Sequence, residues 1–235
     1  MSLLSSLKKR SALDAAVKLV AKARKNQGEN SEQLYREAYL GFASVVADNL
    51  LIAEALYHWG FALLHEAKAQ DPETAASTLL DAIDKFTFCL LARPEYLGAA
   101  IDGGVAYMEL ARLHPDADKP GLYAAARDFF EKAGAIQKGS SAYNLACIHA
   151  LNGDEEACLA ALRLAGQSGC LPDESMILQD ADLASVVDKD WFTEFLAETR
   201  ENLLQAAAEK KAKTNVEYEP MVKLKKTEDF DYYAK

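Results

Sequence analysis

Residues 97–133, LGAAIDGGVAYMELARLHPDADKPGLYAAARDFFEKA, contain small and aromatic residues that recur elsewhere in the chain at a fixed distance. Gly104, Tyr107, Ala126, Phe130 and Ala133 each have one counterpart 44 residues earlier and another 88 residues earlier. The counterparts are Gly60, Leu63, Ala82, Phe86 and Cys89 in one copy, and Ala16, Leu19, Ala38, Phe42 and Val45 in the other. A fixed period is typical of solenoids, which stack one supersecondary unit because a single unit cannot bury its apolar face. The sequence therefore predicts a repeat scaffold for binding, without naming its ligand.

The composition of the chain agrees with a helical, soluble scaffold. Its 235 residues are 50% hydrophobic, and Gly and Pro are few, which favours helix nearly throughout. The net charge of −10 argues against a nucleic-acid-binding protein, because attraction to phosphates requires a basic face. The cysteines form no C-x-x-C pair and are expected to be reduced and packed. No apolar run approaches the roughly 20 residues that a membrane span requires.

Apolar residues recur at helical spacing between breakers, which predicts four pairs of helices. Asn30-Ser31 and Asp71-Pro72-Glu73 resemble helix starts, since a capping side chain is followed by an acid in the first turn. The first helices of the pairs are predicted at about 8–25, 51–69, 95–113 and 140–151, and the second helices at about 31–48, 73–92, 120–137 and 154–165.

The residues at these matched positions resemble the tetratricopeptide repeat (TPR), a helix–turn–helix with the pattern W-x2-L-G-x2-Y, then A-x3-F, then P. Gly104-x2-Tyr107 is followed by Ala126-x3-Phe130 in the third unit, and the fourth unit has the ordinary 34-residue length. The resemblance covers about residues 8–166 and implies an all-α, right-handed superhelical solenoid. The chain departs from the family pattern in its three longer units. There, 22 residues separate the small residue of the first helix from that of the second helix, where the pattern has about 12. Longer helices are expected rather than a loop insertion, since 61–69 and 73–81 keep helical periodicity.

After Gly166 the repeat pattern stops, and the sequence predicts a different organisation. Residues 167–211 are expected to form a C-terminal cap with a long amphipathic helix from about 188 to 211, because the last repeat would otherwise expose an apolar face. Residues 212–235 have no period and are expected to form an extended tail. The C-terminal helix or the tail could also join two copies of the chain in a homo-oligomer.

In a solenoid of this family, the first helix of each pair lines the concave face. The residues beside the small position on these helices are mostly apolar, so the predicted function is a non-catalytic adaptor that presents an apolar groove to a protein or peptide segment, apolar or amphipathic. The predicted contact residues are Tyr57, Phe61, Leu64, Ile101, Val105, Met108, Tyr143 and Asn144.

Two alternatives remain open at this stage. In the first, the chain is a structural assembly subunit whose groove is filled by its own helix 188–211 or tail, and whose partners bind the tail and the convex face. In the second, an enzyme or metal-binding protein uses His58 and His65, which lie seven residues apart on one helix. We expect no catalytic residues, no metal and no cofactor, since no phosphate-binding Gly-rich loop and no nucleophile motif is present.

The N-terminal stretch bears on localisation. Seven Lys and Arg residues between Lys8 and Lys25 accompany a single acid, Asp14, a composition shared with organellar transit peptides. However, Ala16 and Leu19 are already in register with the next unit, so this stretch is expected to belong to the repeats. A cytoplasmic protein is the main expectation, and import into an organelle is the minor alternative.

Overall fold

The computed structural model describes residues 3–47, 51–115 and 118–217, and every element in these ranges is helical. The chain divides into two compact units, Met1–Asp188 and Lys189–Lys235. In the described part of the first unit, eight helices pack as consecutive pairs of a TPR-like solenoid. The pairs are α1 (Leu3–Ala23) with α2 (Glu29–Ala47), α3 (Ile52–Ala67) with α4 (Pro72–Ala92), α5 (Leu97–Leu113) with α6 (Lys119–Ile136), and α7 (Ala142–Leu151) with α8 (Glu155–Gln167).

The predicted helix starts are confirmed at one position and wrong at another. Asp71 caps α4 as predicted: its carboxylate accepts a hydrogen bond from the Thr74 amide at 3.1 Å, and Pro72 follows as the first helical residue. Asn30 and Ser31, in contrast, lie inside α2, which begins at Glu29. The Ser31 hydroxyl donates to the Ala23 carbonyl at 3.0 Å, so it ties α2 to the end of α1 instead of capping its own helix.

Helix extension explains the long repeats, as the sequence predicts. The helices α3, α4, α5 and α6 contain 16, 21, 17 and 18 residues, whereas α7 and α8 of the 34-residue unit contain 10 and 13. The difference is about one and a half to two turns per helix at 3.6 residues per turn.

The core of each long pair is built on an aromatic ring that seats against a small residue. Phe42, Phe86 and Phe130, one from each second helix, are all 0% exposed. A methyl group built on Gly60 would lie 2.8 Å from the Phe86 ring, and one on Gly104 would lie 2.5 Å from the Phe130 ring. These distances are shorter than van der Waals contact, so the absence of a side chain at Gly60 and Gly104 lets the rings approach the helix backbone.

The small residues that recur on the second helices are buried in the same interface between the two helices of a pair. Ala38, Ala82, Ala126 and the fourth-unit Cys158 are each 0% exposed. In the fourth pair, Ala146 and Leu162 are buried at the positions that hold a small residue, alanine or glycine, and phenylalanine in the longer units. The 44-residue period in the sequence is therefore the period of one repeated packing contact.

The segment that follows α8 remains in the first unit up to Asp188. It contains a short helix, α9 (Glu174–Gln179), and a single 3₁₀ turn at Ala181–Leu183. Ile177, Leu183 and Val186 are buried at 2% exposure or less, so this segment adds to the core after the last repeat.

The second unit is described up to residue 217. It contains one helix, α10 (Asp190–Glu217), which extends six residues beyond the predicted end at 211. The Phe192 ring lies edge-on to that of Trp191 at 5.6 Å and is tilted against that of Phe195 at 6.4 Å. Leu203 and Leu204 are 66% and 72% exposed, so the predicted apolar side of α10 is not buried along its whole length. Residues 218–235 of the predicted tail lie outside the described residues.

The seating of Phe130 against Gly104 predicts a sharp penalty for a larger residue. Gly104→Val should lower the free energy of unfolding by about 1–3 kcal/mol, because the new methyl groups meet a ring that cannot move away. Gly121→Ala on α6 is the matched control, since nothing lies within 4 Å of an added methyl group there. It should raise stability by up to about 1 kcal/mol. Urea unfolding followed by circular dichroism measures both, and a Gly104→Val protein as stable as its parent would contradict the seating.

Candidate functional site

The candidate site is the first-helix face, which we define as the face formed by α1, α3, α5 and α7 within the first unit. The two extended neighbours α3 and α5 pack directly on each other along this face, as do α1 and α3. Two clefts open on it: an N-terminal cleft between α1 and α3 and a C-terminal cleft at α5 and α7.

The predicted contact residues divide into two groups on this face. Six are half-buried, which leaves part of each side chain accessible, and two are core residues. The half-buried set is Tyr57, Phe61, Ile101, Val105, Tyr143 and Asn144. Leu64 and Met108 are only 3% and 6% exposed, so they are not exposed contacts: Met108 lies at the floor of the C-terminal cleft, and Leu64 lines a separate depression among α3, α4 and α5. Their register on the helix resembles that of the exposed positions, but a neighbouring helix covers them.

The N-terminal cleft has a volume of about 180 Å³ and an almost entirely apolar lining. Its walls bring together the predicted Tyr57 and Phe61 of α3 with residues of α1. The α1 side chains are Val17, Val20, Ala21 and Arg24, and Phe42 and His58 complete the lining. The Arg24 guanidinium lies 5.3 Å above the centre of the Phe61 ring, which places one cation at the edge of the cleft.

Tyr57 is held in place from several directions. Its ring lies 4.9 Å from that of Tyr96, and a methyl group on Gly98 would lie 2.9 Å from it. Its hydroxyl hydrogen-bonds to the Asp102 carboxylate of α5. Burial, and secondly Asp102, raise the pKa of Tyr57 well above its ordinary value. The hydroxyl is thus protonated and engaged, and Tyr57 offers a partner its ring rather than its polar end.

His58 and His65, the pair considered for a metal or catalytic role, are half-buried and lie against aromatic rings. The His65 ring packs edge-on against Phe61 at 4.4 Å. Burial, then Arg24 and Lys68, lower the pKa of His65 to about 4, and burial also lowers the pKa of His58. Both imidazoles are neutral near pH 7 and serve as parts of an aromatic wall.

The C-terminal cleft has a volume of about 200 Å³ and contains charged residues that the sequence did not reveal. It is lined by the predicted Val105, Met108, Tyr143 and Asn144, together with Glu109, Arg112, Cys147, Asp180 and Asp182. The carboxylates of Asp180 and Asp182 come from the segment after α9, far along the chain from α5.

A hydrogen-bond and ion-pair network fixes these carboxylates. The Tyr143 hydroxyl donates to Asp180 at 2.7 Å. Arg112 contacts Asp182 at 2.5 Å and Glu109 at 3.2 Å, and Lys68 lies 4.0 Å from Glu109. Burial raises the pKa of Asp182, and Arg112 opposes this shift. The Asp180 carboxylate also accepts from the Asp182 amide at 3.0 Å, as an acid at the start of a helical turn does.

The chain's own segment covers one end of the first-helix face. The Ser185 hydroxyl donates to the Ala150 carbonyl of α7 at 3.1 Å, and Leu183 and Val186 are buried beside this contact. The sequence alternative of a self-occupied groove assigned this role to helix 188–211 or the tail. Within the first unit, residues 180–186 cover this end of the face.

Cys147, Asp180 and Asp182 are the group of three potential metal ligands that the described ranges bring within 4.8 Å of one another. Their donor atoms already have partners within the protein, since Asp180 accepts from Tyr143 and Cys147, and Asp182 pairs with Arg112. The group is explained as part of the packing between α7 and the covering segment.

No helix within the described ranges is long and apolar enough to cross a membrane.

Comparison with known proteins identifies the fold and the family. The crystal structure of TTC0263, a thermophilic TPR protein in Thermus thermophilus, superposes with a TM-score of 0.54 at 19% sequence identity, covering 88% of this chain and 96% of that one. The family of the plant-specific mitochondrial import receptor subunit TOM20 matches residues 31–154, just over half of the chain. No curated protein matches the sequence.

The chain is a TPR-like helical-repeat protein, a class of protein-interaction scaffolds and receptors. It belongs to the plant-specific mitochondrial import receptor subunit TOM20 family. The family description supports the organellar alternative for localisation, whereas the main expectation of a cytoplasmic protein has no support. Charge and hydropathy could not decide between the two, because they describe solubility and do not encode the compartment in which a repeat protein works.

The burial of the Asp102 carboxylate predicts a pH-dependent stability. Burial raises the pKa of Asp102 above its ordinary 3.8, although Tyr57 and Lys68 oppose the shift. An acid with a raised folded-state pKa contributes stability that is complete below pH 3.8 and is lost as the pH rises through its folded-state pKa. Asp102→Asn keeps the oxygen that accepts from Tyr57 but carries no charge. Its free energy of unfolding should therefore exceed that of the parent at pH 7, and the gap should close at acidic pH.

Urea unfolding at a series of pH values between 3 and 8, roughly spanning this titration, measures the gap. Asp128→Asn on the exposed side of α6 removes the same formal charge without touching a buried carboxylate and is the matched control. If the difference in free energy of unfolding between Asp102→Asn and the parent stays constant with pH, the charge of Asp102 does not cause that difference.

Proposed function

We propose that this protein is a non-catalytic receptor that holds a polypeptide segment on its first-helix face, and that it acts in the import of proteins into mitochondria. The family described as a mitochondrial import receptor subunit supports the second part. The repeat solenoid, which we place at residues 8–166, carries the binding face. Residues 167–211 are the proposed cap, and the tail from 212 onward is not required for binding in this proposal.

The observation that carries the proposal is the apolar N-terminal cleft formed by α1 and α3. The half-buried Val17, the buried Val20 and aromatic rings from two repeats meet there around one small opening. At about 180 Å³ the cleft is smaller than the roughly 300–1,000 Å³ of small-molecule pockets. Its size therefore suits a side chain of a longer segment, which would continue over Ile101 and Val105 toward the C-terminal cleft.

An amphipathic helix is the segment that this face accommodates best. Such a helix presents apolar residues at i, i+3, i+4 and i+7 to a groove, and mitochondrial transit peptides are amphipathic, Arg-rich and poor in acids. Each fully buried aliphatic side chain contributes about 1.5–3 kcal/mol, against an association cost of at least about 4 kcal/mol. A few anchors therefore give reversible binding, which a receptor that passes its cargo onward requires.

Exposed apolar side chains on a second helix, α4, support a second candidate function. On α4, the side chains of Leu80, Phe88 and Leu91 are 53%, 55% and 72% exposed. They follow one another at spacings of eight and three residues and so share a helix face. In this alternative the protein is an assembly subunit, and the α4 face contacts its partner.

Phe61→Glu should weaken binding of an amphipathic peptide at least tenfold, because a carboxylate replaces a ring in the apolar cleft. The probe is a synthetic 18-residue helical peptide with leucines on one face and arginines on the other, and fluorescence anisotropy measures its affinity. Val17→Glu tests the opposite wall of the same cleft, and circular dichroism checks that both variants remain folded.

Phe88→Glu introduces the same change on the exposed face of α4 and is the matched control. Under the receptor proposal, it leaves the affinity within about twofold of the parent. Loss of binding in Phe88→Glu, with retention in Phe61→Glu and Val17→Glu, would favour the assembly alternative and reject the cleft.

A further inference from the structure

Two exposed apolar faces of this chain carry opposite charges, and the first is the α4 face of Leu80, Phe88 and Leu91. Asp84 lies on this face, four residues from both Leu80 and Phe88. Asp81 borders it, and both aspartates are exposed. The α4 face therefore presents carboxylates beside its apolar side chains.

The cations that α4 and its C-cap contribute are held away from the α4 face. The Lys85 ammonium lies 5.0 Å from the centre of the Trp59 ring of α3. The Arg93 guanidinium lies 2.7 Å from the Glu54 carboxylate, also on α3. Because α3 packs against the buried side of α4, both cations are held on that side and the α4 face keeps its negative charge.

The second face lies on α10 and is apolar and positive. Its side chains recur at spacings of three and four residues and so share one side of the helix, which we call the α10 face: Arg200, Leu203, Leu204, Ala207 and Lys211. All five are exposed. The acids of the same stretch follow one another on the other side of α10, at Glu194, Glu198, Glu201 and Glu209. The cations of the α10 face therefore lie beside its leucines, with the carboxylates opposite.

This part of α10 lacks the burial of the first turns of the helix. Phe192, Phe195 and Leu196 are buried, whereas every residue from 200 to 209 is exposed. A helical stretch of about ten residues without packing is marginally stable, and two adjacent leucines on it form an apolar patch. A partner that covers the α10 face would therefore stabilise the helix.

The two faces match in length as well as in chemistry. Leu80 to Leu91 and Arg200 to Lys211 each advance eleven residues, which is roughly 16 Å of helix at 1.5 Å per residue. We propose that the α10 face of one copy of the chain docks on the α4 face of a second copy, with the leucines between the helices and the cations beside the carboxylates. Both faces are exposed within one copy, so both are available to another. Two copies that exchange this contact close as a dimer, since each copy holds both faces.

The contact names a partner for the α4 face and so rests on the assembly alternative, while it is independent of peptide binding on the first-helix face. The peptide probe for the first-helix face has its arginines opposite its leucines, whereas α10 has cations beside its leucines. Asp84 therefore favours α10 over that probe, and Phe88→Glu stays a control for peptide binding.

Analytical ultracentrifugation of the full-length protein over a dilution series tests the contact. The parent protein should approach twice the mass of one chain at high concentration and dissociate on dilution. Phe88→Glu and Leu204→Glu should each raise the dissociation constant at least about tenfold, because each places a carboxylate in the apolar part of the contact. Both positions are exposed, and circular dichroism verifies that the variants remain folded.

A mixture of the two variants shows whether the faces that meet are unlike. Phe88→Glu keeps an intact α10 face, and Leu204→Glu keeps an intact α4 face. Each variant alone loses both contacts of the dimer, but a mixed pair retains one of them. The average mass of the mixture should therefore rise above that of either variant alone.

Reversal of one charge tests the electrostatic part of the contact. Asp84→Lys should raise the dissociation constant at least about twofold, as the loss of exposed ion pairs does. Glu194→Lys, on the acidic side of α10, makes the same change of charge away from both faces and should leave the dissociation constant unaltered.

The outcomes separate this contact from the two candidate functions. A parent protein that stays at the mass of one chain would overturn the contact, and so would association that Phe88→Glu or Leu204→Glu leaves unchanged. A mixture that does not recover mass would overturn docking between unlike faces. A monomeric parent would leave both candidate functions standing, since the peptide assay tests them separately.

Discussion

The structure depends on one repeated contact. In each long pair, a buried aromatic ring of the second helix packs against a small residue of the first helix. Phe86 fits over Gly60 and Phe130 over Gly104, and Phe42 packs in one buried cluster with Ala16. Close approach at these points brings the two helices of a pair together, and repetition of the contact stacks the pairs. Because the contact recurs at one position per unit, the first helices follow one another on a single face, where binding is proposed.

The binding face is a consequence of how this packing is completed. Helices extended by almost two turns widen the surface between α1 and α5 beyond that of a 34-residue unit. The apolar N-terminal cleft remains open, whereas residues 180–186 cover the far end and bring carboxylates to α7. The segment after the last repeat therefore supplies both the end of the core and the negative charge of the C-terminal cleft.

Local and periodic features could be predicted from the sequence, because the information lies in neighbouring residues. The helix pairs, the extension of the long units and the cap at Asp71 are confirmed. The capping role predicted for Ser31 is wrong, because its hydroxyl bonds to Ala23 of another helix, which no local pattern indicates. Leu64 and Met108 were predicted as contacts from their place on the first helices, but tertiary packing buries them. The contact residues themselves stay predictions.

The helical repeat, its period and the small and aromatic positions at its core can be read from the chain alone, since they depend on local propensity and on recurrence along it. The sequence alone does not indicate that Asp180 contacts Tyr143 or that Asp182 pairs with Arg112. It also does not indicate that Arg24 lies over the Phe61 ring. These pairs join side chains separated by 37 to 70 positions, and no periodicity marks them. The charge pattern of the face therefore arises when the covering segment packs on α7 and α1 packs on α3, since folding sets these distances.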